Sequence, residues 1–75
     1  MAKKTSKSVS NSAEHVIPLG NGWVVKNSAA QKFTAITDNK RDAITIAREI
    51  AKSKGRELII HGKDGNIISR KSYAA

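Results

Sequence analysis

Apolar positions recur along this chain in two rhythms, one with a period near 3.6 residues and several with a period of two. The helical rhythm is confined to residues 39–55, NKRDAITIAREIAKSKG. At about 100 degrees per residue, Ala43, Ile44, Ile46, Ala47, Ile50 and Ala51 fall within one arc of about 160 degrees, which predicts an amphipathic helix resting on a sheet. Three alanines in the arc let the helix come close to the strands, while Ile46 and Ile50 insert between them. On that reading Ile50→Ala costs about 2–5 kcal/mol. Asn39 is the expected N-cap, and the carboxylate of Asp42 three residues on completes a relative of the capping box at the positive end of the helix. Gly55, after Lys52 and Lys54, supplies a left-handed C-cap.

The period-two segments flank this helix. Residues 14–19, EHVIPL, form a first strand, and Pro18 inside it, which has no N–H to donate, favours an edge position. Gly20-Asn21-Gly22 reads as a tight turn into a second strand at residues 23–26, so that the two make a hairpin. Alternation puts Trp23 and Val25 on the side beneath the helix and Val24 and Lys26 on the open side. A loop at residues 27–32 leads to a third strand at residues 33–37. After the helix come a fourth strand at residues 57–61, a turn at residues 62–65 and a fifth strand at residues 66–70. The expected fold is α+β: a small antiparallel sheet of about five strands, in the order β-β-β-α-β-β, with the helix packed on one face.

Composition narrows the picture further. Seventy-five residues allow one domain at most, close to the size at which a core alone sustains a fold. Residues 1–13, rich in Lys and Ser, cannot bury enough to be ordered and read as a disordered basic tail; residues 14–73 form the compact domain. The absence of cysteine removes disulfides, thiolate metal sites and thiol nucleophiles, and suits a reducing compartment. No apolar run has membrane-spanning length and the polar start lacks a secretory signal's apolar middle, so a cytoplasmic location without membrane contact is expected. Fourteen Lys and Arg against six Asp and Glu give a net charge of +8. Without Lys3, Lys4 and Lys7 of the tail, eleven bases remain against six acids, a net +5. Such a balance favours polyanionic partners.

Several short motifs resemble a known family. His15-Val16-Ile17-Pro18, then GNGWVVK at residues 20–26, the Asp42-Ala43 pair opening an Ala-Arg-Glu helix, LIIHGKDG at residues 58–65 and the closing Ser72-Tyr73 resemble the bacterial domain-of-unknown-function family numbered 2188, over residues 14–73. Asn39 and Asp42 stand where that family often has Thr and Glu, swaps that keep the capping chemistry. The resemblance implies a compact bacterial domain and no particular activity.

The outward face of the helix carries Arg41, Thr45, Arg48 and Lys52 at i, i+4, i+7 and i+11, a basic ridge that Lys40, Lys54 and Arg56 near the helix ends would widen. Such a row can meet regularly spaced phosphates, or simply be the solvated face of an amphipathic helix with Asp42 and Glu49 beside it. His15 and His61 lie on separate strands with no metal-ligand spacing around them and read as ordinary strand histidines, so no metal is expected. Residues 62–65 have too few glycines and no following helix for a phosphate loop. No nucleophile elbow or carboxylate pair appears, and so small a chain leaves little room for a substrate pocket. The chain therefore reads as a non-catalytic binding module without cofactor. DNA or RNA, held non-specifically through phosphates, is the expected partner. The alternative is a protein-interaction or self-assembly module, a homodimer for example, that uses an exposed sheet edge.

Overall fold

The computed structural model describes residues 13–74. Five strands and one helix follow in the expected order: β1 Ala13–Leu19, β2 Gly22–Asn27, β3 Ala35–Thr37, α1 Lys40–Lys54, β4 Glu57–His61 and β5 Ile67–Ser72. The fold is α+β. The basic tail expected at residues 1–13 lies outside the described residues except for Ala13, which belongs to β1 and is buried.

Strand order is β3-β2-β1-β4-β5, and it corrects the expected sheet in two respects. First, the sheet is mixed. β1–β2, β2–β3 and β4–β5 pair antiparallel, whereas β1 and β4 run parallel, with Ala13 opposite Glu57 and His15 opposite Ile59. The cause is the helix. After the β1-β2-β3 meander, β3 points the same way as β1; α1, 15 residues long, carries the chain back about 22 Å. β4 therefore starts at the end where β1 starts, and parallel pairing follows. Second, β1 is the central strand despite Pro18. The ladder to β4 extends only from Ala13 to Val16, so proline sits beyond it and no hydrogen bond is forfeited.

Local signals hold at the helix ends. Asn39 is extended (φ −138°, ψ 161°) and its side-chain oxygen accepts from the Asp42 N–H at 2.9 Å. Gly55 is left-handed (φ 64°, ψ 43°), with its N–H donating to the Ala51 carbonyl. The helix meets the sheet through Ala43, Ala47 and Ala51, all fully buried against Val16, Val25 and Leu58. Trp23, Ala35, Ile44, Ile46, Ile60 and Tyr73 pack around that centre. The isoleucines of the arc thus occupy its margins, because alanines at the centre bring the helix too close to leave room for larger side chains. Ile50 is only half-buried and lies outside the cluster.

The third strand is shorter than expected. Phe33 stays in the preceding loop, exposed, although the Thr34 N–H still donates to the Val25 carbonyl at 2.7 Å. On the face turned from the helix, Val24 lies between its cross-strand neighbours Ile17 and Ile36 and is buried. Ile36 on the edge strand is 72% exposed.

Candidate functional site

The outward face of α1 holds Arg41, Arg48 and Lys52, all exposed. They project within about 40 degrees of one another around the helix and span about 16 Å along it. None of the three side chains makes an ion pair or a hydrogen bond among the described residues. Within the row, the Thr45 hydroxyl donates to the backbone carbonyl of Arg41 at 3.0 Å.

The other bases proposed for this ridge are placed differently. Lys54 is exposed in the last turn. Lys40, at the first helical position, is turned toward the sheet and half-buried, with its ammonium 5.5 Å from the Trp23 ring centroid. That distance is within cation–π reach. Arg56 lies off the ridge. Its guanidinium donates to Glu14 Oε2 at 2.7 Å across the end of the sheet, and Asn27 Nδ2 donates to the same oxygen at 2.8 Å. Gly55 turns the chain so that Arg56 leads into β4 instead of continuing α1.

Glu14 is 1% exposed, and its Oε1 has no hydrogen-bond partner among the described residues. Sequence reasoning missed this buried ion pair. Alternation carried a signal for the burial of Glu14, which shares a face of β1 with the core residue Val16, but none for its partner.

A third arrangement occupies the opposite face. His15 and His61 are diagonal neighbours on β1 and β4, and His15 Nδ1 lies 2.9 Å from His61 Nε2. The rings stack at 5.1 Å between centroids and 30° between planes. One of the facing nitrogens carries the proton and donates to the other. Burial, then the neighbouring His61 and Lys26, hold His15 below the ordinary histidine value of 6.5, with Glu14 and Glu57 acting in the opposite sense.

A histidine whose pKa is depressed by folding favours the folded state above its unfolded value, and that contribution is lost as pH falls through the folded pKa. Denaturation midpoints are therefore expected to drop as pH falls below the ordinary histidine value of 6.5, with His15→Gln flattening the profile. An unchanged profile in that variant would assign the acid sensitivity to other groups.

A shallow hollow beside the helix is lined by Ile36, Thr37, Asp38, Asp42, Thr45 and Ile46. Its charged groups are two carboxylates, which makes it unsuited to phosphate. Among the described residues no group of three or more His, Cys, Asp or Glu is placed to hold a metal ion, and no helix is long and apolar enough to cross a membrane.

The motifs along β1, β2, α1 and β4 coincide with a family match. The sequence model of DUF2188, described as an uncharacterized protein conserved in bacteria, matches residues 14–73. The chain belongs to that family. The matched span takes in β1 through β5 and Tyr73, and hence the helix ridge, the Glu14–Arg56 pair and the two histidines. The uncharacterized protein YdaT of Bacillus subtilis is 47% identical over 57 residues, which is 76% of this chain and 38% of YdaT. The chain thus spans well under half the length of that relative. No solved structure gives a significant match.

Proposed function

We propose that this DUF2188 chain is a small non-catalytic binding module that contacts nucleic-acid phosphates through Arg41, Arg48 and Lys52, with Lys54 extending the row. The observation that carries the reading is the contrast among the arginines. Arg56 and Arg70, away from the outer helix face, are engaged by Glu14 and Glu57 at 2.7 and 3.2 Å. Arg41 and Arg48, on it, have no acidic partner among the described residues. A guanidinium without a carboxylate is available to a phosphate, with no ion pair to break first. A helix presenting three such cations along one line meets a charged backbone without reading bases.

The test is a salt series on short DNA and RNA duplexes and single strands. Three phosphate contacts predict a log–log slope near about −2.7 on duplex DNA, which weakens binding about 40-fold between 50 and 200 mM salt. Arg41→Ala with Arg48→Ala is expected to reduce the slope by about 2 while leaving stability within about 0.5 kcal/mol of wild type. Absence of retention at low salt would overturn the reading, and an unchanged slope in the double variant would move the site elsewhere.

A second reading, self-assembly through a sheet edge, is favoured by one observation: both edge strands expose large apolar side chains, Ile67 and Ile68 on β5 and Ile36 on β3. Against it, β5 also carries Arg70 and Lys71, charges of the kind that keep edges apart. Sedimentation at high concentration separates the two, since phosphate binding does not require a dimer.

A further inference from the structure

The geometry points to an exchangeable transition-metal site at His15 and His61, with an octahedral or square-planar late divalent ion such as Ni2+ as its ligand class. Two imidazoles brought together from positions 46 residues apart, His15 Nδ1 and His61 Nε2, are 2.9 Å from one another. Metal–imidazole bonds of about 2.0–2.1 Å separate two nitrogens by about 2.8–3.0 Å when they subtend a right angle, and by about 3.3–3.4 Å when the angle is tetrahedral. The observed spacing, set here by the hydrogen bond between the rings, already falls in the right-angle range, so little movement lets both nitrogens meet one ion in a square-planar or octahedral shell. Imidazole in that geometry selects Ni2+ or Cu2+ ahead of Zn2+.

The sheet brings the pair together from two neighbouring strands. β1 and β4 are adjacent, with His15 inside their parallel ladder level with Ile59, while His61 follows one residue beyond the last pair, Val16 with Ile60, at a register shift in its pairing with β5. Both histidines are half-buried on the face turned from the helix, so one side of the pair is open to solvent and the other rests on the sheet. No third His, Cys, Asp or Glu is near enough to complete a shell among the described residues. Water therefore fills the remaining positions, and the ion exchanges instead of holding the fold together. Lys26 stands opposite His15 across β1 and β2. Its ammonium is drawn off to the carbonyls of Asn27 and Ala30, which limits its repulsion of an incoming cation. Glu57 and Arg70, on the same face of β4 and β5, are paired at 3.2 Å and largely offset one another's charge beside the site.

Ion entry replaces the hydrogen bond between the rings. The proton on one facing nitrogen is transferred through water to the other nitrogen of the same ring, and both facing lone pairs then pass to the metal. Two neutral imidazoles go in and two neutral imidazoles remain, so a neutral pair releases no net proton. The burial that holds His15 below its ordinary value keeps it in this neutral form at neutral pH.

The experiment titrates the untagged full chain with NiCl2 at neutral pH, read by calorimetry and by imidazole 1H–15N correlation spectra. The expected result is saturation at one Ni2+ per chain with the resonances of both histidines changing together. His15→Gln and His61→Gln should each weaken binding by about tenfold or more, because the second nitrogen of a chelate binds at high effective concentration. Zn2+ should bind more weakly than Ni2+. Where a variant does not fold, the wild-type spectra decide. Non-saturable binding, a response of one histidine alone, or a folded single variant that binds as tightly as wild type would overturn the site.

Discussion

Arg56→Ala is expected to cost about 3–5 kcal/mol, the largest loss of any surface-reaching substitution in this chain, because it leaves the Glu14 carboxylate buried without its cation. Glu14 is buried near the start of β1, and Asn27 alone would remain to hydrogen-bond it. For a domain of this size that approaches the entire stability. The pair itself contributes much less than its removal costs. Glu14 Oε1 accepts no hydrogen bond among the described residues, so the carboxylate is only half-compensated for leaving water. Adding Glu14→Leu to Arg56→Ala should restore most of the loss, and the double variant should melt closer to wild type than either single one. Urea midpoints for the four proteins of this cycle give the coupling directly. Additive losses would mean that Arg56 stabilises the fold through something other than Glu14.

Leu58→Ala is expected to cost about 2–5 kcal/mol, against about 1–2 kcal/mol for Ile50→Ala. Leu58 lies on the helix side of β4 inside the buried cluster with Val16, Val25 and the alanines. Truncating it opens a cavity that a helix anchored on three alanines cannot collapse to fill. Ile50 was expected from helical periodicity to insert between the strands, yet it is half-buried and outside that cluster. Much of its side chain is already in contact with water, and its truncation forfeits correspondingly less. Denaturant midpoints for the two variants side by side test the assignment of the helix face. Equal losses, or a larger loss at Ile50, would rotate the helix about its axis relative to the packing described.

What was legible beforehand was what is decided locally. The N-cap at Asn39, the left-handed Gly55, the alanine periodicity and the hairpin at residues 20–22 depend on residues within a few positions of one another. Each is found where those residues place it. Phe33 marks the limit of that reasoning: strand propensity extended β3 back to it, but pairing with β2 covers only Ala35–Thr37.

Three other features were illegible for a common reason, since each joins residues more than forty positions apart. They are the parallel ladder of β1 with β4, the Glu14–Arg56 pair and the contact of His15 with His61. Neither spacing nor periodicity records which strands become neighbours. Proximity along the chain also misled, because Arg56 stands one residue beyond the C-cap and was grouped with the helix ridge. Arg41, Arg48 and Lys52 were legible as exposed neighbours, since helical geometry alone determines that.

The central position of β1 has a consequence for the order in which the molecule can be made. β1 leaves the ribosome ahead of the other four strands, yet one of its two ladders awaits β4, 44 residues further on at the Ala13–Glu57 pairing. The hairpin of β1 with β2 can close early, but the far edge of β1 stays unpaired until translation has passed His61. During that interval the nascent chain exposes the backbone of its innermost strand together with Val16 and the Glu14 carboxylate. The most interior part of the finished protein is thus, during synthesis, the part longest open to a chaperone or to another copy of the chain.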